Sequence, residues 1–88
     1  MNVIQDNSEY LAQLNDQLEI RTSEGLGYST RLSSADCGAL RELLMQTSFS
    51  DNQFLKMLER RAQSGTGTLM QLDVNATQEI HLSLKELK

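Results

Sequence analysis

A small α+β domain is the fold class this chain predicts, and three observations predict it. Two consecutive amphipathic segments between residues 34 and 63 carry helix caps and apolar stripes at helical spacing. The segments on either side alternate apolar with polar residues, which is the strand period. The chain has no proline, so glycine-bearing polar clusters at 23–27 and 64–68 are its main breaks. A length of 88 residues supports one core and one domain, 1–88. The reading is a central helical hairpin packed on antiparallel β-hairpins, with an all-α four-helix bundle as the alternative.

The elements follow in order. Tyr10, Leu11, Leu14 and Leu18 stand at helical spacing among good helix formers, which predicts a short helix over 8–18. Leu18, Ile20 and Thr22 then alternate with polar residues, as do Tyr28, Thr30 and Leu32, so the 23–27 cluster reads as the loop of a β-hairpin. A helix running on to Arg21 would erase the first of those strands.

Ser33 or Ser34 caps a helix over 34–46 in which Ala35, Leu40, Leu43 and Leu44 share a side. Gly38 costs that helix about 1 kcal/mol against alanine. Ser50 with Gln53 has capping-box spacing and opens a second helix, 51–63, whose apolar face is Phe54, Leu55, Met57, Leu58 and Ala62. Met70, Leu72 and Val74 alternate, and so do Ile80, Leu82 and Leu84, which predicts a second hairpin turning at 75–78. Ile80, Leu84 and Leu87 also form a helical stripe, and a closing helix from Thr77 would favour the bundle. No internal repeat and no low-complexity tract stands out.

Composition narrows the function classes. The net charge of −4 argues against broad phosphate binding, and any basic surface falls in the middle third, where acids and bases balance. One cysteine cannot form an internal disulfide, which points to a reducing, cytoplasmic compartment. Residues 1–6 lack the basic and apolar regions of a leader, and no apolar run is long enough for a membrane span.

Catalytic and cofactor signatures are weak. Cys37 and His81 are the only thiol and imidazole, so they form the one covalent dyad the chain could assemble. Cys37 sits beside the apolar stripe of its helix, where a free cysteine behaves as a small hydrophobe. One Cys and one His fall short of a zinc set. The stretch from Asp73 begins like a calcium loop but has Gln78 where glycine is needed and Leu84 where glutamate is needed. Gly65-Thr66-Gly67 follows a helix and precedes a strand, the reverse of a phosphate loop. No cofactor or metal is expected.

The expected function is therefore that of a non-enzymatic binding or regulatory module acting through protein–protein contact as a homodimer or assembly subunit. Tyr28, Met45 and Phe49 are the candidate contact residues, and the four methionines add adaptable apolar surface. The alternative is a helix-turn-helix-like DNA-binding regulator. There the 51–63 helix would present Asn52, Gln53, Lys56, Arg60 and Gln63 to base edges and phosphates.

Overall fold

A computed structural model of the chain describes residues 7–87. The leader reading rests on residues 1–6, outside that range. The elements are α1 (Asn7–Glu24), β1 (Tyr28–Leu32), α2 (Ser34–Met45), α3 (Asn52–Ser64), β2 (Thr68–Leu72) and α4 (Val74–Lys85). The α+β class holds, with β1 and β2 forming one two-stranded antiparallel sheet. The central helical hairpin is α2 packed on α3, while α1 packs on α4.

Two predicted strands are helix instead. The alternation of Leu18, Ile20 and Thr22 belongs to α1, where Leu18 is 0% exposed and Ile20 is 49% exposed. A strand would have put both on one side; the helix separates them by about 200° and keeps Leu14, Leu18 and Thr22 on its inner stripe. Ile80, Leu82 and Leu84 fall in α4 for the same reason, with Ile80 and Leu84 in the core and Leu82 64% exposed. Losing one strand from each hairpin leaves β1 and β2, which pair with each other across the whole α2–α3 unit. No helix among the described residues is long and apolar enough to cross a membrane.

The sheet register exposes a feature that the sequence reading missed. Tyr28 pairs with Leu72, Thr30 with Met70 and Leu32 with Thr68. Adding 40 to any residue of β1 gives the corresponding residue of β2, and the same shift carries α2 onto α4 and the end of α1 onto the end of α3. Thr30 thus pairs with its own counterpart, and a pseudo-twofold axis passes through that pair. The molecule is built of two structurally equivalent helix–strand–helix halves, each lending its first helix to the second helix of the other.

Side chains follow the same rule. Leu18 and Leu58, Leu32 and Leu72, Leu40 and Ile80, Leu44 and Leu84 are buried pairs at the shift of 40, and Cys37 and Thr77 form another. The correspondence escapes a sequence scan because packing needs only a small apolar set at fixed positions, while the intervening surface residues differ.

Caps and turns repeat as well. The Ser33 hydroxyl accepts the Asp36 N–H at 3.1 Å while the Ser33 N–H donates to Asp36 Oδ2 at 3.4 Å, a capping box at the head of α2. Asp73 caps α4 by accepting the Ala76 N–H at 2.7 Å. At α3 the cap is Asp51, which accepts from Phe54 N–H at 3.2 Å, one residue later than the predicted Ser50. Gly25 and Gly65 end α1 and α3 in the left-handed region, at φ 72° and 75°.

Two residues on, Gly27 lies against the Leu72 carbonyl and Gly67 against the Leu32 carbonyl, leaving no room for a Cβ at either. In the Gly65-Thr66-Gly67 turn, Gly65 and Thr66 are exposed and Gly67 is packed against the opposite strand end.

Candidate functional site

The predicted contact residues sit in three settings. Tyr28 opens β1, half-buried, with the Arg21 guanidinium 5.6 Å from its ring centre. Phe49, in the α2–α3 turn, is also half-buried and meets Phe54 edge to face at 5.8 Å. Its ring packs against the core, and the turn around it is held by the Thr47 hydroxyl, which accepts the Phe49 N–H at 3.1 Å, and by Glu86, which accepts both the Ser48 N–H and hydroxyl. Met45, at the end of α2, is exposed. Tyr28 is the first residue of β1 and Met45 the last of α2.

The polar stripe proposed for nucleic acid is intact. Asn52, Gln53, Lys56, Arg60 and Gln63 are all exposed along one side of α3, and Gln53, Lys56, Glu59 and Arg60 line a shallow groove there. Arg41 of α2 reaches Glu59 at 3.7 Å, the one ion pair among the described residues, which leaves Lys56 and Arg60 without an anionic partner.

Cys37 is fully buried. Burial first, and then the charge of Asp36, push its thiol pKa up, with Arg61 opposing. A thiol so placed stays protonated at neutral pH and is a poor nucleophile. Tyr10 is shifted upward even further, again chiefly by burial, and its hydroxyl is enclosed without a hydrogen-bond partner. His81 is buried in α4. No group of three or more His, Cys, Asp or Glu residues that could hold a metal occurs among the described residues. Asp73, where the calcium-loop likeness began, acts as a helix cap instead.

The equivalence of the halves reveals surface residues that the linear reading passed over, because each half serves as a control for the other. Wherever a large apolar side chain is exposed, the counterpart 40 residues away is polar: Ile20 answers to Arg60, Leu26 to Thr66, Leu69 to Ser29, Val74 to Ser34, Leu82 to Glu42 and Met45 to Lys85. The backbone accommodates a polar residue at each of these positions, so packing alone does not call for the apolar one.

Leu26 and Val74 flank the contact of Gly27 with Leu72 and Asp73 and make one exposed apolar end of the molecule. The equivalent end carries Thr66 and Ser34.

The outer side of the sheet is likewise bare. Ser29, Arg31, Leu69 and Gln71 face solvent, while Leu32, Met70 and Leu72 face the core. Arg31 and Gln71 are counterparts under the twofold. Comparison with known proteins adds no assignment: no family model, no curated protein and no solved structure matches this chain.

Proposed function

We propose that this chain is a non-enzymatic protein-docking module, and that the apolar end formed by Leu26 and Val74 is its contact surface. The observation that carries this reading is the contrast with Thr66 and Ser34, which do the same structural work at the other end with polar side chains. Apolar groups held in water without a packing reason are what a partner surface supplies with a complement. The acidic total and the protonated, enclosed Cys37 thiol support a binding role over covalent chemistry.

The test exchanges one end for the other. A Leu26→Thr/Val74→Ser double variant is expected to unfold at the same temperature as the parent and to lose the protein that the parent retains in native co-purification. Retention of the same protein by both would defeat the proposal.

Nucleic-acid binding is the second reading, and the bare sheet face favours it. A two-stranded ribbon fits the major groove of B-DNA, and arginine and glutamine, here at related positions 31 and 71, are matched to guanine and adenine edges. The exposed stripe on α3 offers a second route to the same partner. Anisotropy titration with random-sequence duplex separates the two. Loss of binding in Arg31→Ala would implicate the ribbon, loss in Lys56→Ala or Arg60→Ala would implicate α3, and no salt-sensitive binding by the parent would exclude both.

A further inference from the structure

We propose that a second copy of this chain binds through the outward side of α1 held against the outward side of α3. The proposal goes beyond the docking reading above, since these flanks are a surface apart from the Leu26–Val74 end. Its basis is a charge difference between two helices that the fold makes equivalent.

Along α1 the exposed charged residues are Glu9, Asp16, Glu19 and Glu24, all acidic, while its one cation, Arg21, is turned onto the Tyr28 ring. Along α3 the exposed charged residues are Lys56, Arg60 and Arg61, all basic, while its one acid, Glu59, is held by Arg41. Asp16 and Lys56 occupy the same place in the two halves. The outward side of α1 is thus acidic throughout, while on α3 the three cations outnumber the single acid, Glu59, which is paired with Arg41.

These two faces do not neutralise each other within the chain, since Arg41–Glu59 is the only ion pair among the described residues. Between two copies they can. The proposed dimer makes this contact twice, α1 of each copy on α3 of the other, under a twofold operation. Each side meets the opposite sign twice, and Ile20, exposed between Asp16 and Glu24, adds apolar area at the centre of the acidic face. An α1 helix about 27 Å long, engaged twice, gives a footprint of the scale of a standard interface, about 800 Å² per partner.

The experiment uses the full chain and two charge reversals. One variant carries Asp16→Lys, Glu19→Lys and Glu24→Lys; the other carries Lys56→Glu, Arg60→Glu and Arg61→Glu. In the first variant both faces are basic, and in the second both are acidic, so each should sediment as a monomer. Mixed together they should form a heterodimer, because each α1 then meets an α3 of opposite sign. The parent should dimerise, with its dissociation constant rising about tenfold or more as salt screens the contact.

Circular dichroism confirms that both variants are folded, and formation of the mixed dimer is itself a check on folding. A parent that is monomeric at every concentration, or a mixture that stays monomeric, overturns the inference. A parent dimer that survives both reversals but dissolves in Leu26→Thr/Val74→Ser also overturns it, while leaving the docking reading in place. Loss of a different captured protein in that double variant, with the parent monomeric, separates the two in the same way.

Discussion

At one end of the molecule the turn after α1 meets the head of α4 with Leu26 and Val74 exposed; at the other, the turn after α3 meets the head of α2 with Thr66 exposed and Ser34 half-buried. The two ends share their glycines, their helix caps and their register. Their difference shows which residues the fold demands and which it merely tolerates. Demanded positions coincide at a shift of 40: glycine where the turn crosses the opposite strand end, a cap residue before each second helix, leucine or isoleucine along the inner stripe. Tolerated positions diverge, and the exposed apolar residues all belong to that second group.

The largest test of this equivalence is in the core. Leu18 and Leu58 are each 0% exposed and occupy the same place in the two halves. Leu18→Ala and Leu58→Ala should each lower stability by about 3 kcal/mol, read from urea denaturation with unchanged slope. Costs differing by more than about 2 kcal/mol would show that the two halves do not close around their first helices equally well.

Next come the turn glycines, where the equivalence has a built-in asymmetry. Gly67 has φ 69° and also abuts the Leu32 carbonyl, while Gly27 abuts the Leu72 carbonyl without a left-handed backbone. Gly67→Ala should cost about 2–3 kcal/mol, because it adds both a clash and backbone strain. Gly27→Ala should cost less, about 1–2 kcal/mol, by the clash alone. Equal costs in thermal or urea unfolding would mean that the carbonyl contact, which is the same at both, dominates over the dihedral.

Asn15 breaks the pattern in the other direction. It is 2% exposed in α1, neither its amide oxygen nor its nitrogen has a hydrogen-bond partner, and its counterpart is Leu55. An enclosed amide without partners is destabilising. Asn15→Leu, which imposes the other half's solution, should raise stability by about 1–2 kcal/mol in the same unfolding measurement. A loss instead would show that the amide is satisfied by a group such as water, and that the α1 seat differs in shape from the α3 seat.

The central helix pair was legible because its signals are local. Caps at Ser33 and a leucine stripe through Leu40 and Leu44 sit within one turn or two of each other. The class survived for the same reason, since strand patterns at Tyr28–Leu32 and Thr68–Leu72 were real. What alternation could not say is which strand pairs with which. Leu18–Ile20–Thr22 and Ile80–Leu82–Leu84 fit a period of two over three residues, too short a window to exclude a helix whose inner stripe continues beyond it.

Pairing β1 with β2 is a long-range event across two helices, and only the register betrays it. The α3 stripe was found by spacing alone. The apolar end was not, because an exposed leucine is unremarkable by itself and becomes informative only beside Thr66 and Ser34. Residues 27–47 set above 67–87 share only Gly27 with Gly67, Leu32 with Leu72 and Leu44 with Leu84, so the sheet register was needed to bring out the correspondence.

The smallest expected effect lies at the α2–α3 contact, where the two halves again disagree. Gly38 sits inside α2, and its counterpart in α4 is Gln78. A Cβ built at Gly38 would lie 3.7 Å from the Ala62 Cβ of α3, an ordinary van der Waals distance. The glycine is therefore not required for close approach, and it leaves the helix with its entropic cost uncompensated. Gly38→Ala should stabilise by about 0.5–1 kcal/mol, by restricting the unfolded chain and adding one methyl contact. Had the two helices crossed more closely there than at the equivalent contact of α4 with α1, the same substitution would push them apart and lower the unfolding temperature. The sign of this small change therefore reports whether the twofold holds in the helix layer as tightly as it does in the sheet.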